Sequence, residues 1–180
     1  AMHQAGVTNT VAPLGTALTE QQVRVLKRWT ASAVLVFDGD EAGTKATLRA
    51  IELCERQEVS ASVVALPAGR DPADFVQAGE EDALRALLAG KRPAFPFLLD
   101  GAVARFGRSG AEAKERVRDF LFPFAAAAAA RLRAEEYLRQ VAEALGASSE
   151  AVMADFDRWQ ARQRGRIRAS GPAAEEGAIP

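Results

Sequence analysis

Two aspartates separated by one glycine, Asp38-Gly39-Asp40, are the residues of this 180-residue chain that point most clearly to chemistry. They follow the apolar run 33–37, and residues two apart in an extended backbone face the same way. Two carboxylates about 4 Å apart repel by about 1 kcal/mol in water and by about 4 kcal/mol at an effective dielectric constant near 20. A divalent cation removes this repulsion, because Mg²⁺ binds one or two carboxylates together with phosphate oxygens. The pair therefore predicts a metal site, with capping of the next helix as the alternative for Asp40.

A second acidic motif, Asp71-Pro72-Ala73-Asp74, follows the strand pattern at 62–66 after a short loop. In parallel sheets, ligands bind beyond the carboxyl ends of the strands. Adjacent strands lie about 4.8 Å apart, so we expect Asp71 to approach the first acidic pair if the two strands are neighbours. An oxygen-rich site of this kind suits Mg²⁺ or Mn²⁺ and serves phosphoryl or nucleotidyl transfer. The alternative is that Asp71 and Asp74 cap the helix that starts at the proline.

Strand and helix patterns alternate over the first half of the chain. The continuous apolar run 33–37 and the stretch 62–66, which is apolar from Val63 onward, are typical of strands buried in a parallel sheet. A short β-prone segment at 10–12 predicts a further strand. This order predicts an α/β fold, with a parallel sheet flanked by helices. Helices are predicted from Thr19, over 42–56, from Asp71 and over 80–89.

The second half of the chain has helical patterns only. Pro123 predicts a break or a kink between its second and third helices. We therefore predict a partial α/β domain over 1–92, an all-helical bundle subdomain over 93–165, and a disordered tail or linker over 166–180. The helices of this half are predicted over 94–106, 112–122, 124–145 and 149–163.

Composition excludes several classes of site. The chain contains one cysteine, Cys54, and one histidine, His3, so it holds no zinc cluster of the usual kind. Cys54 lies in a helical pattern and is predicted to be a core or half-buried residue. No apolar stretch is long enough to span a bilayer and no signal peptide is visible, so we expect a cytoplasmic protein without membrane contact. The net charge of −1 says nothing about partners.

Three cations, Lys27, Arg28 and Lys45, are candidates for contact with a nucleic-acid backbone. They lie on the helices that precede and follow the first buried strand. The alternative for each is an ordinary solvated helix residue.

Several segments together resemble the TOPRIM segment of bacterial replicative primases of the DnaG type. They are Leu14 to Thr19, the Asp-Gly-Asp-Glu-Ala-Gly motif at 38–43, and the stretch 66–75 with its Asp-Pro-Ala-Asp motif. The stretches 95–99 and 136–146 are similar to the helical subdomain that follows TOPRIM in those proteins. The resemblance extends from the start of the chain to about residue 157.

The resemblance implies a partial TOPRIM fold joined to a helical bundle. It implies synthesis of short RNA primers on a single-stranded DNA template from ribonucleoside triphosphates, with Mg²⁺ or Mn²⁺ as the metal. It assigns the metal-binding and catalytic acids to Asp38, Asp40 and Asp71. Many relatives carry an acid directly after the proline of this motif. That position is Ala73 here and the acid falls one residue later, so Asp74 is a further candidate. A replicative helicase is the implied partner through a C-terminal domain, and zinc is implied only in an N-terminal domain.

In this family the catalytic glutamate lies on a strand that precedes the position matching residue 1 of this chain. We therefore expect this chain alone to hold part of the site and to make no primers. The alternatives are another TOPRIM enzyme, such as a nuclease or topoisomerase, and a non-catalytic TOPRIM DNA-binding module. Topoisomerases use a tyrosine nucleophile, and the lone Tyr137 lies in a helical stretch away from the acids.

Overall fold

The computed structural model describes residues 1–13 and 17–169, and for 167–169 the backbone only. Within these ranges the chain forms three strands and eight helices. The strands are β1 (Ser32–Val36), β2 (Ser60–Val64) and β3 (Arg92–Pro93). The helices are α1 (Glu20–Lys27), α2 (Glu41–Arg56), α3 (Pro72–Gln77), α4 (Glu81–Ala89), α5 (Ala94–Phe106), α6 (Ala111–Ala127), α7 (Arg131–Leu145) and α8 (Ser149–Ala169).

The sheet has the order β1-β2-β3. The pair β1–β2 is parallel and in register from Ser32 opposite Ser60 to Val36 opposite Val64. This confirms the predicted α/β fold, and it brings the loops that follow both strands to one edge of the sheet. The third strand, β3, is antiparallel to β2 and two residues long. Its Pro93 lacks an N–H group, which suits a strand at the edge of the sheet that the described residues form.

The β-prone segment 10–12 does not form a strand, so that prediction is wrong. The carbonyl oxygen of Thr10 lies 2.9 Å from Nε2 of His3 instead of facing another strand. A three-residue segment before Pro13 offers few backbone hydrogen bonds, and a local partner is enough to replace them.

The predicted division into helices 112–122 and 124–145 is also wrong, and of the break or kink predicted at Pro123 the break does not occur. Helix α6 runs through Pro123 to Ala127, and the break falls at residues 128–130. A proline inside a helix removes one backbone hydrogen bond. The neighbouring side chains Phe122 and Phe124 are 0% and 7% exposed, so core packing on both sides of the proline holds the helix together.

Helix α8 reaches Ala169, six residues beyond the predicted end at Gln163. Residues 166–169, which we assigned to a tail, are therefore helical, and residues 170–180 lie outside the described part of the chain. No helix among the described residues is long and apolar enough to cross a membrane.

One large apolar cluster joins the two halves of the chain. Side chains from β1, β2 and α2 belong to the same cluster as side chains from α5 to α8. The division near residue 92 stays a prediction, and apolar packing is continuous across it. Representative members of the cluster are Leu35, Ile51, Val63, Leu121, Phe122 and Val141.

The thiol of Cys54 is buried in α2 at 2% exposure, as predicted from its helical pattern. Burial, with a smaller effect of the Glu55 charge, raises the pKa of this thiol from 9.0 to about 11. The unfolded chain therefore loses the thiol proton first as pH rises. We expect the free energy of unfolding to fall by about 1–2 kcal/mol more between pH 9 and pH 11 in the wild type than in Cys54→Ala.

Urea denaturation at a series of pH values measures this difference. Both proteins keep Tyr137, so ionisation of the phenol cancels in the comparison. Parallel pH profiles for the two proteins would show that the thiol ionises equally easily in the folded and unfolded states.

Candidate metal-binding site

Asp38 and Asp40 lie between the end of β1 and the start of α2. Asp40 is the N-cap of α2, and its Oδ1 accepts a hydrogen bond from the Gly43 amide at 2.6 Å. The capping role considered for Asp40 is therefore confirmed, and its second oxygen has no hydrogen-bond partner among the described residues. The carboxylate of Asp38 is exposed and likewise has no hydrogen bond or ion pair within the described part of the chain.

Asp71 and Asp74 form a reciprocal cap at the start of α3. Oδ1 of Asp71 accepts from the amides of Ala73 at 2.6 Å and Asp74 at 2.9 Å. In return, Oδ2 of Asp74 accepts from the amide of Asp71 at 2.7 Å. Both residues therefore act as caps, with Pro72 in the first helical turn. The reciprocal bonds fix the two carboxylates and leave one oxygen of each without a protein partner in the residues described.

Gly39 joins the two acidic loops through its backbone. Its amide donates to the carbonyl of Arg70 at 3.0 Å, and its carbonyl accepts from the amide of Gly69 at 2.8 Å. A Cβ atom on Gly39 would lie 2.1 Å from the carbonyl oxygen of Pro67, far inside van der Waals contact. Glycine is therefore required here by the close approach of another backbone.

Gly43 allows a second close approach at the start of α2. A Cβ atom on Gly43 would lie 2.1 Å from the carbonyl oxygen of Asp38. The first turn of the helix thus packs directly against the backbone of the residue that begins the acidic motif. Both glycines of the Asp-Gly-Asp-Glu-Ala-Gly motif are explained by backbone contacts of the loop that carries the acids.

The two acidic loops enclose a small cavity of about 170 Å³. All four predicted carboxylates line it, so the expected approach of Asp71 to the first acidic pair is what the fold produces. Among residues 1–13 and 17–169, however, no three His, Cys, Asp or Glu side chains come close enough together to hold a metal ion. The residues that line the cavity are Asp38, Gly39, Asp40, Gly69, Arg70, Asp71 and Asp74.

This donor set fits a hydrated Mg²⁺ or Mn²⁺ ion. Mg²⁺ keeps several waters and is commonly bound through one or two carboxylates and substrate phosphates, so a cage of three protein ligands is not needed. Carboxylate oxygens are also the ligands that these hard cations prefer. The assignment of Asp38, Asp40, Asp71 and, as a further candidate, Asp74 stays a prediction.

Arg70 also borders the cavity, and no sequence pattern singles it out. Its guanidinium carbon lies 3.8 Å from the centroid of the Phe75 ring, and its Nη1 donates to Oε2 of Glu80 at 2.8 Å. The only sequence signal is its position directly before Asp71. Its partners, Phe75 and Glu80, follow it by five and ten residues. These spacings do not belong to a recognised local motif.

The three cations predicted to contact nucleic acid are separated in the structure. Lys27 and Arg28 lie at the end of α1, which leads into the amino end of β1, whereas the acids follow its carboxyl end. Lys45 is in the second turn of α2, near the acidic cavity along the chain. Lys27 pairs with Glu58 at 2.9 Å and Lys45 with Glu41 at 2.7 Å. Their role in nucleic-acid binding stays a prediction.

The contacts of Tyr137 are with residues outside the two acidic loops. Its hydroxyl donates to Oε1 of Glu55 at 2.8 Å, and its ring stacks on Phe95 with centroids 3.9 Å apart. Burial, followed by the hydrogen bond to Glu55, raises the pKa of the Tyr137 phenol. A phenol that is this hard to ionise is a poor nucleophile.

The chain matches known proteins over the segments that carry this geometry. The Toprim-like family matches residues 1–76. A DNA primase of Treponema pallidum is 34% identical over 162 residues, which is 90% of this chain and 27% of that protein. A DNA primase of Mycolicibacterium smegmatis is 34% identical over 174 residues, or 92% of this chain and 27% of that protein. The chain thus spans about a quarter of the length of these relatives.

Solved structures agree with these matches. A DNA primase domain from Pseudomonas aeruginosa superposes with a TM-score of 0.75 and 28% identity, over 85% of this chain and 49% of that chain. The RNA polymerase domain of the Mycobacterium tuberculosis primase DnaG gives a TM-score of 0.64 and 33% identity, over 79% of this chain and 46% of that one.

The parallel strands with acidic loops at their carboxyl ends define a Toprim-like protein extended by a helical bundle. Within that class, the chain is homologous to a segment of the DnaG-type DNA primases. The segment is the later part of the TOPRIM region and the helices that follow it.

Proposed function

We propose that the acidic cavity is a divalent-metal site for nucleotidyl transfer in the synthesis of RNA primers by a DNA primase. The observation that carries the proposal is that carboxylates from two neighbouring strand ends line one cavity, in a chain homologous to DNA primases. When bound there, Mg²⁺ or Mn²⁺ would neutralise charge on the phosphate oxygens of a ribonucleoside triphosphate.

The residues of the chain divide this work between them. Asp38, with both oxygens unpartnered among the described residues, is suited to direct contact with the metal or its waters. Asp40 and Asp71 each use Oδ1 as a helix cap, which orients the carboxylate and leaves Oδ2 for the metal. Asp74 accepts a hydrogen bond from the backbone amide of Asp71, and its first role is therefore to orient Asp71.

The proposed partners are those of a primase. A structure of the M. tuberculosis RNA polymerase domain, 32% identical with a TM-score of 0.59, contains a double-stranded DNA oligomer with a 6-nucleotide overhang. By analogy, we propose a single-stranded DNA template and ribonucleoside triphosphates as ligands. Of the three predicted cations Lys27, Arg28 and Lys45, Lys45 is the nearest along the chain to the first acidic pair. A replicative helicase and structural zinc would be bound through parts of the primase that this chain does not span. The proposed location is the bacterial cytoplasm, at the replication fork.

No observation favours a topoisomerase. The only tyrosine, Tyr137, is hydrogen-bonded to a buried glutamate and has a raised pKa.

Replacing single aspartates by asparagine tests the metal site, because asparagine caps a helix about as well as aspartate while removing the charge. We expect Asp38→Asn, Asp40→Asn and Asp71→Asn each to weaken Mn²⁺ binding by about 10-fold or more. The unfolding free energy without metal should stay within about 0.5 kcal/mol of the wild type, or rise, because the charges repel one another less.

Electron paramagnetic resonance of free Mn²⁺ during titration measures the affinity, and thermal unfolding measures the stability. Asp157→Asn, an exposed carboxylate of α8, is the matched control and should bind Mn²⁺ like the wild type. Equal Mn²⁺ affinity in all four variants would contradict the metal site. A loss of about 2 kcal/mol in metal-free Asp40→Asn would instead make that carboxylate structural.

Primer synthesis is tested in a chimera in which residues 1–165 replace the matching part of the P. aeruginosa DNA primase. The chimera should make RNA primers on single-stranded DNA with Mn²⁺, and Asp40→Asn should reduce this activity by about 100-fold or more. An active Asp40→Asn chimera would exclude that carboxylate from the reaction.

A further inference from the structure

The side chain of Arg70 ties the second acidic loop to the helices behind it. The guanidinium stacks on the ring of Phe75 in α3 and donates to Glu80, which precedes α4. Phe75 is 2% exposed and packs in a second apolar cluster with Val64 and Leu84. The charged group of an otherwise open loop is therefore held by an aromatic face that is anchored in the core.

The main chain of Arg70 is tied to the first acidic loop. Its carbonyl accepts from the Gly39 amide at 3.0 Å, and the preceding residue, Gly69, donates to the Gly39 carbonyl at 2.8 Å. Asp71 follows directly and caps α3. Arg70 thus connects three fixed points: the first acidic loop, the start of α3 and the start of α4. The position of Asp71 opposite the first acidic pair depends on all three.

We propose that Arg70 is a positioning residue that holds Asp71 across the cavity from Asp38 and Asp40, and thereby sets the affinity of the cavity for a divalent metal. This proposal rests on the proposed function, because it requires the cavity to bind metal. Arg70 is not itself a ligand, since a guanidinium offers only hydrogen-bond donors. Its contribution is the fixed geometry of the loop that presents an acid.

Charge alone predicts the opposite effect of removing Arg70. Because Arg70 lines the acidic cavity, its positive charge opposes a divalent cation there. If only this charge mattered, Arg70→Gln would bind Mn²⁺ more tightly than the wild type. If Arg70 positions Asp71, Arg70→Gln binds more weakly. The direction of the change therefore separates a positioning role from a simple electrostatic one.

A lysine at position 70 separates the two roles further. Arg70→Lys keeps the charge but loses the planar group that stacks on Phe75 and the fork that meets Glu80. Positioning predicts weaker metal binding for this variant too, whereas charge alone predicts no change.

Arg92→Gln is the matched control. Arg92 and Arg70 both line a groove of about 590 Å³. The guanidinium of Arg92 pairs with the carboxylate of Asp100. Among the described residues it makes no hydrogen bond or ion pair with the acidic loops. The substitution therefore removes the same kind of charge from the same region and leaves both loops in place.

Mn²⁺ titration of these variants is the first test. We expect Arg70→Gln and Arg70→Lys to bind Mn²⁺ about 10-fold more weakly than the wild type, and Arg92→Gln to bind like the wild type. Wild-type or tighter binding by Arg70→Gln would overturn the proposal. A wild-type chain that binds no Mn²⁺ would overturn the proposed function and, with it, the role of Arg70 in metal affinity.

Amide hydrogen exchange without metal is the second test, and it does not depend on metal binding. The amides of Gly39 and Gly69 should exchange about 10-fold faster in Arg70→Gln, while core amides such as Leu121 and Val141 keep their wild-type protection. Unchanged exchange at both glycines would show that Arg70 does not hold the loops together. Such a result would overturn the positioning role whatever the metal titration shows.

Discussion

Gly39→Ala should separate the two acidic loops and abolish metal binding in the cavity. The added Cβ would lie 2.1 Å from the carbonyl oxygen of Pro67 and 3.2 Å from that of Leu66. Neither backbone group can turn away as a flexible side chain would, so one loop must move. We expect a loss of about 3 kcal/mol in unfolding free energy, at the upper end of overpacking costs, because backbone hydrogen bonds break as well.

Urea denaturation and Mn²⁺ titration measure the two consequences of Gly39→Ala. Gly101→Ala is the matched control, because a Cβ on Gly101 meets nothing within 4 Å and the residue lies inside α5. That control should be more stable than the wild type by about 0.5–1 kcal/mol, since alanine favours a helix. A Gly39→Ala protein with wild-type stability and Mn²⁺ affinity would show that the loops are not held together by this contact.

Arg133→Ala should destabilise the junction between the sheet and the helical bundle. Glu55 is 3% exposed and receives hydrogen bonds from Tyr137 at 2.8 Å and from Arg133 at 3.3 Å. Removing the cation leaves a buried carboxylate with the tyrosine alone, and such losses typically cost about 3–5 kcal/mol. We expect about 2–3 kcal/mol here, because the side chain of Arg133 is 33% exposed and part of its interaction is screened by water.

A second substitution shows whether the buried charge causes this loss. Adding Glu55→Leu to Arg133→Ala should recover about half of the lost stability, because no unpaired carboxylate remains. Arg131→Ala, two residues earlier on the same helix, is the control. Its side chain is 92% exposed and pairs with Glu135, so we expect urea denaturation to show the stability of the wild type. An Arg133→Ala protein as stable as this control would mean that Glu55 does not need the cation.

Local features of the structure follow from the sequence because their partners are close along the chain. Thr19 and Gln22 form a capping box at the start of α1, where the sequence predicts that a helix begins. Gly146 adopts the left-handed conformation that ends α7. Continuous apolar runs identify the two parallel strands within two residues. A hydrogen bond over three or four residues, or a run of four or five apolar side chains, needs no knowledge of the rest of the fold.

Features that depend on distant partners do not follow from the sequence. Helix α6 passes through Pro123 because buried aromatic side chains on both sides hold it in the core. The short strand β3 exists because β2 has an edge to pair with. In such cases core packing overrides the local preference of a residue. The packing partners are distant in sequence, so a local pattern does not identify them.

The candidate site divides in the same way. The sequence singles out Asp38, Asp40 and Asp71 as candidates, because carboxylates that follow two buried strands are recognisable from their spacing. The pairing of Gly39 with the loop ending at Arg70 depends on tertiary contacts, and so do the contacts of Arg70 with Phe75 and Glu80. These contacts arise where two loops about 30 residues apart in sequence meet at one sheet edge, and parallel strand pairing sets that meeting.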